Sequence, residues 1–240
     1  MEELGYQPNV LASAMKGKYT FTIALLIPDI ENPIYAQYYK HIEKRGQELG
    51  YSIVMASTER DPEKEAKHIQ LLRQKRVDGF ILASIFNNDQ ILNRLILDKV
   101  PLVLFAHERP GFSVNTVTVD DYIGGYHAAQ HLISLGHRRI GVVGEETQST
   151  VERIRGYKQA LSENNIDFDE NLIIKVDIPT IEGAEEKAHI LFEQKERPTA
   201  VFGCNDIFAI GTMQAAKKGG LSCPTNFLSW GMMTHLCVKL

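Results

Sequence analysis

Several residues stand at spacings that chemistry uses. His127 and His131 are four apart in a stretch of helical periodicity, a spacing that can hold a metal ion. No acidic residue there completes such a site, and helical histidines of this kind more often lie at a surface or interface, so no metal is expected. Glu145 and Glu146 follow a β-branched run and form a candidate carboxylate pair for acid/base work. Adjacent side chains point apart in extended chain, which makes a solvated turn the simpler reading. Cys204, Cys223 and Cys237 are an odd set without a C-x-x-C pair, which argues against a disulfide framework and against zinc. Cys204 reads as a small apolar residue ending a strand. Neither a G-x-G-x-x-G nor a G-x-x-x-x-G-K-[ST] phosphate loop is present, and no G-x-S-x-G or H-E-x-x-H arrangement appears. No cofactor is expected, and the residues make no case for an enzyme.

The elements that must position these groups follow from periodicity. Short β-branched and aromatic runs at 21–28, 51–57, 79–84, 101–106, 115–119, 139–143, 172–176 and 199–204 alternate with amphipathic stretches. The latter cover 35–49, 63–75, 89–98, 121–135, 150–163, 181–194 and 206–218. Most of the short runs are continuously apolar, as strands buried on both faces are, so an α/β fold with parallel sheets is predicted. Gly50, Gly136 and Gly219 follow the last periodic residue of a helix, where a left-handed cap costs a residue without Cβ least. Two βα series appear, with the passage between them near Val117 to Asp121.

In open parallel sheets, ligands bind beyond the carboxyl ends of the strands. Here those positions are 29–35, 58–59, 84–86, 107–108, 120–121, 144–146 and 205–206, rich in side-chain acceptors and poor in glycine. A hydroxyl-rich neutral ligand suits such loops better than a phosphate cradled by backbone. The 240 residues carry 26 Lys and Arg against 30 Asp and Glu, a net charge of −4. That balance gives no general pull toward nucleic acid or anionic membrane, so any DNA contact must come from a local segment. The longest apolar run, Ile23 to Ile27, is far below the roughly 18 residues of a membrane span, and the first residues lack a signal-peptide pattern. A reducing cytoplasm fits this reading.

Several segments, in order and spacing, carry a more specific signal. They are Leu4-Gly5-Tyr6-Gln7-Pro8-Asn9, Ile27-Pro28-Asp29-Ile30-Glu31-Asn32-Pro33, Arg76-Val77-Asp78-Gly79 and Leu132-Ile133-Ser134-Leu135-Gly136-His137. Arg153-Ile154-Arg155-Gly156-Tyr157, Pro198-Thr199-Ala200 and Asn205-Asp206-Ile207-Phe208-Ala209-Ile210-Gly211 complete the set. From Leu4 to about Pro224 the chain resembles the LacI/GalR family of bacterial transcriptional regulators. The resemblance implies two Rossmann-like subdomains of the type I periplasmic-binding-protein kind, hinged around a sugar or related metabolite. It also implies a homodimer that couples effector binding to operator DNA. Residues 1–19 would be a remnant of the headpiece and hinge helix, 20–118 and 119–225 the two effector-binding subdomains, the second incomplete.

By the same resemblance, Asp29, Asn32, Tyr35, Asp120, Asp121, Arg153 and Asp206 face the effector. Carboxylates accept charge-assisted bonds from sugar hydroxyls, and the arginine fork suits vicinal hydroxyls or a carboxylate. Two structural alternatives stand beside this: Asp206 as the cap of the helix after Cys204, and Arg153 as an exposed helix charge. Asn9, capping a short helix to Lys16, resembles the start of the hinge helix; Met15 would be its minor-groove wedge, with Lys16 and Lys18 on phosphates. The helix-turn-helix expected before Leu4 is not in the sequence, so loss of DNA binding is expected. A stand-alone sugar-binding protein and a Rossmann-type enzyme are the rivals; the absence of a leader and of phosphate loops weighs against them.

After Pro224 the family expects Asp-Ile-Ser-Val-Val-Gly-Tyr/Phe-Asp-Asp, whereas this chain reads Asn226-Phe227-Leu228-Ser229-Trp230-Gly231-Met232-Met233-Thr234. Reading Trp230 to Thr234 one base upstream gives Leu/Met/Val, Gly, Tyr/His/Asn/Asp, Asp, Asp. A frameshifted tail over 226–240 is therefore expected, leaving two open sheet edges and poor solubility. The coding DNA checks it: an upstream frame that does not encode Gly-Tyr-Asp-Asp there would sink the idea.

Overall fold

The computed structural model describes residues 19–83, 89–221 and the backbone of 237–239. The chain divides into two compact units, Met1–Val119 and Asp120–Leu240. The first unit runs β1 (Thr22–Ile27), α1 (Pro33–Glu48), β2 (Ser52–Ser57), α2 (Pro62–Gln74), β3 (Gly79–Leu82), α3 (Asp89–Leu97), β4 (Leu102–Phe105) and β5 (Asn115–Val117). Its five strands are parallel, in the order β2-β1-β3-β4-β5. The order reverses between β1 and β3, which makes their carboxyl ends the switch point where such sheets bind ligands.

Strand β1 shows why this sheet is covered on both faces. Ala24 and Leu26 pack with Ile69 and Leu72 of α2 and with Leu92 and Leu95 of α3. The alternating residues Leu25 and Ile27 pack with Tyr35, Tyr39 and Ile42 of α1. The period-two alternation of a strand sends successive side chains to opposite faces, so a continuous apolar run fills both layers. The edge strands depart from that pattern: β2 has no fully buried residue and all three residues of β5 are exposed.

The second unit runs α4 (Asp121–Ser134), β6 (Ile140–Gly144), α5 (Gln148–Glu163), β7 (Ile173–Lys175), α6 (Ile181–Phe192), β8 (Ala200–Gly203), α7 (Asp206–Lys218) and β9 (Cys237–Lys239). Its sheet has the order β7-β6-β8-β9, with the first three strands parallel and β9 antiparallel to β8. The outer side of β8 is paired, with Lys239 opposite Ala200 and Cys237 opposite Phe202, so the edges of this sheet are β7 and β9. Sequence periodicity missed β9 because three residues are too short to show a period.

Most expected boundaries lie within two residues of the observed ones. Helix α1 starts earlier than its apolar pattern because Asn32 caps it and Pro33, which has no N–H to lose, occupies the first turn. Gly50 and Gly136 take the left-handed conformation at φ 79° and 93°. At the end of α7 it is Gly220, φ 74°, and not Gly219 that does so.

One crossing sets the geometry of the second unit. A Cβ on Gly156 of α5 would lie 2.0 Å from the Tyr122 carbonyl oxygen, and one on Gly125 of α4 would lie 2.0 Å from that of Arg153. The two helices therefore touch backbone to backbone at two reciprocal points. No rotamer change relieves a contact with a main-chain oxygen, so Gly156→Ala is expected to destabilise the chain by about 3 kcal/mol in urea unfolding. Gly50→Ala, strained in φ but facing open space, is expected to cost about 1 kcal/mol.

Candidate functional site

The carboxyl ends of β6 and β8 gather the polar groups of the second unit. Arg153 lies on α5, and the α4–α5 crossing buries it to 6% exposure. Its Nε donates to Oδ1 of Asp121 at 2.9 Å, and a terminal nitrogen reaches the same oxygen at 2.7 Å. The other terminal nitrogen donates to the Cys204 carbonyl, just past β8. The guanidinium thus ties α4, α5 and β8 into one rigid corner. The alternative of an exposed helix charge is corrected: the glycine contacts bring α4 over this side chain.

Asp121 is the first residue of α4, and its carboxylate balances a charge that would be costly to bury alone. Asp120 precedes it as the exposed N-cap, with Oδ1 accepting from the Ile123 N–H at 2.9 Å. Asp206 does not cap α7. Asn205 does, accepting from the Phe208 N–H at 2.9 Å, and Asp206 begins the helix one position on. The cap therefore leaves the Asp206 carboxylate for other partners.

Cys204 is fully enclosed among these groups, and burial pushes its thiol up to about 12, with Arg153 and a hydrogen bond from Thr150 opposing that shift. A thiol so protonated is no nucleophile at neutral pH, in line with the reading of Cys204 as an apolar residue. Glu146 is exposed and pairs with Lys175 at 3.2 Å, as a solvated turn would have it. Glu145 stays close enough for its charge to act on Cys204. His127 is exposed and stands edge-on to Tyr126, with ring centroids 5.7 Å apart. Among the described residues no group of three or more His, Cys, Asp or Glu side chains is placed to hold a metal ion.

The first unit presents its own strand ends. Asp29, two residues past β1, accepts from the Glu31 N–H at 2.8 Å and shapes the turn into α1. Asn32 accepts from the Ile34 N–H at 3.2 Å, so its oxygen caps α1 while its amide nitrogen remains. Tyr35 meets Tyr38 edge-on at 5.9 Å, and Tyr38 meets Phe105 at the end of β4 at 4.8 Å. Beside them, His107 sets Nδ1 against the Phe105 carbonyl at 3.1 Å. Burial lowers its pKa, the Phe105 carbonyl opposes this and Arg109 reinforces it. A neutral ring donating from Nδ1 leaves Nε2 as an acceptor. Periodicity gave no hint of the Tyr38 and Phe105 contact, because it joins two elements far apart in sequence. The positions 84–86, and the hinge residues Asn9, Met15, Lys16 and Lys18, lie outside the described residues.

Comparison with known proteins now bears on this geometry. The family model for periplasmic binding proteins and the sugar-binding domain of the LacI family matches residues 20–230. The chain belongs to the LacI family. It is the effector-binding core of a LacI-family regulator, with the α/β fold of type I periplasmic binding proteins. It is 40% identical over 229 residues to the HTH-type transcriptional regulator DegA of Bacillus subtilis, covering 93% of this chain and 67% of that protein. A crystal structure described as a putative ribose operon repressor from Burkholderia thailandensis superposes with a TM-score of 0.77 at 25% identity, over 84% of this chain and 75% of that one. A LacI family transcriptional regulator from Enterococcus faecium, solved with bound ribose, gives 0.74 at 28% identity, over 85% of this chain and 74% of that one. These relatives are regulators and not enzymes.

Removing Arg153 tests the corner it holds. Arg153→Met leaves the Asp121 carboxylate buried without its cation and is expected to lower stability by about 3 kcal/mol in urea unfolding. Adding Asp121→Asn to that variant is expected to restore part of the loss, and no recovery would show that the pair is not coupled.

Proposed function

We propose that this LacI-family core binds a sugar-like effector through its strand-end residues. The second unit contributes Asp120, Asp121, Arg153 and Asp206; the first contributes Asp29, Asn32 and Tyr35. The observation that carries this reading is the buried Arg153 corner. Its guanidinium is held by Asp121 and the Cys204 carbonyl at the switch point of a parallel sheet, where a fixed donor plane can meet ligand hydroxyls without reorganising. The ribose seen in the Enterococcus faecium relative supports a pentose as a first candidate.

The remaining parts of the function follow from family membership. In the intact regulator, effector binding biases two states of a homodimer, and that bias reaches operator DNA through the hinge residues Asn9, Met15, Lys16 and Lys18. The regulator works in the cytoplasm, binds no membrane and catalyses no reaction. Among the described residues no helix is long and apolar enough to cross a membrane.

A thermal-shift panel of neutral pentoses and hexoses, D-ribose included, tests the binding claim. At about 100 times its dissociation constant, an effector is expected to raise the melting temperature by about 5 °C. Arg153→Lys, which keeps the charge but loses the fork, is expected to abolish most of that shift. An equal shift in the variant would remove Arg153 from the ligand.

A further inference from the structure

The amino edge of the first sheet, opposite the strand ends proposed to meet the effector, has its own chemistry. Helices α1, α2 and α3 all end there in the same turn. Tyr51, Val77 and Val100 donate their N–H groups to the carbonyls of Gly46, Leu72 and Leu95, and the residue before each donor is left-handed. Those left-handed residues are Gly50, Arg76 at φ 57° and Lys99 at φ 54°. The second unit closes α4, α5 and α7 with the same turn but uses Gly136, Asn165 and Gly220, the residue types to which this conformation costs least. Two cations of the first unit thus occupy strained backbone, each three residues before one of the paired strands β3 and β4. The helix dipole favours positive charge at such ends, yet α1 meets it with Arg45 in its last turn and keeps glycine at the left-handed position.

The carboxylates along this edge are already engaged. Glu48 pairs with Arg45 at 2.8 Å and Asp98 with Arg73 at 2.6 Å. Asp78 accepts from the Thr20 N–H and hydroxyl at 2.9 and 3.1 Å and from the Thr22 N–H at 3.3 Å. Residues 45–51, 71–78 and 94–101 hold six Lys and Arg against these three acids, in a chain whose net charge is −4. Lys75, Arg76 and Lys99 are exposed, and among the described residues neither Lys75 nor Lys99 forms an ion pair. Backbones one strand spacing apart, roughly 4.8 Å, hold Arg76 and Lys99 near each other at an electrostatic cost that an anion removes. The Thr20 hydroxyl donates to the Arg76 carbonyl at 2.9 Å, so the segment 1–18, with Lys16 and Lys18, joins the core beside this turn.

We propose that this amino edge, through Lys75, Arg76 and Lys99, is a DNA-facing surface of the core itself, meeting the phosphate backbone of duplex DNA without reading its sequence. The proposal rests on the operator reading above and extends it from the hinge residues to the first unit. A duplex held by the segment that enters at Thr20 lies next to this edge, and cations fixed on turns neutralise its phosphates and release counterions. Such contacts set position and add affinity; they supply no operator recognition, which still needs base-reading elements.

Fluorescence anisotropy of a labelled duplex of about 24 base pairs with the 240-residue chain, from about 20 to about 150 mM NaCl, tests this. The chain is expected to bind with an affinity that falls steeply as salt rises. Arg76→Gly combined with Lys99→Gly removes two charges and the left-handed strain together, so the variant is expected to keep an undiminished melting temperature. It is nevertheless expected to bind the duplex at least about tenfold more weakly at the lowest salt, and the slope of log affinity against log salt is expected to shrink by about two. Lys16→Gln combined with Lys18→Gln tests the hinge residues separately. Unchanged affinity and slope in the folded glycine variant overturn the inference, and a loss confined to the Lys16→Gln, Lys18→Gln chain then leaves the operator reading standing. No duplex binding by the unaltered chain at the lowest salt overturns the inference alone, because operator binding belongs to the intact regulator. Tighter binding of poly-L-glutamate than of duplex, at matched charge and salt, assigns the edge to an acidic protein and overturns the choice of DNA.

Discussion

The backbone contact between α4 and α5 is the constraint on which the second unit depends. Gly125 and Gly156 each lie where a Cβ would strike the carbonyl of the opposite helix. Helices held apart by side chains sit roughly 8–10 Å from axis to axis; these must come closer. That approach buries Arg153, and a buried guanidinium must find a carboxylate and its remaining hydrogen-bond partners within the fold. Asp121 and the Cys204 carbonyl supply them. Backbone geometry, charge pairing and the placement of the Arg153 guanidinium are thus one arrangement.

The two units use the same topological rule with different chemistry. In the second, the strand ends carry charge, and order comes from an ion pair and from capped helices. In the first, the corresponding region is aromatic: Tyr35, Tyr38 and Phe105 meet edge to face beside a neutral His107. Aromatic faces suit the C–H surfaces of a sugar ring, and a neutral imidazole acceptor suits a hydroxyl.

Much of the fold was legible because parallel, doubly covered strands leave continuous apolar runs that helices interrupt at regular intervals. Strand β1 and strand β8 show this most plainly. The order of short motifs was sufficient to indicate the family, and Arg153 and Asp206 came from it. The sequence could not show which residue of an adjacent pair does what. Asn205 caps and Asp206 does not, and the choice depends on φ and ψ at the strand end rather than on composition. The burial of Arg153 was equally hidden, since it arises from glycines on two helices whose contact no single periodic stretch reveals. Strand β9 was invisible for a different reason, being three residues paired to a strand distant in sequence.

Ligand binding at the strand ends is the central claim, and hydrogen–deuterium exchange of the intact chain with and without a stabilising sugar tests it most directly. The account predicts slower exchange in segments 120–126, 145–153 and 204–210 of the second unit and in 29–38 and 105–109 of the first. Helices α2 and α6, which lie away from these loops in sequence, should change little. Protection confined to those two helices, or absent from 145–153 and 204–210, would contradict it.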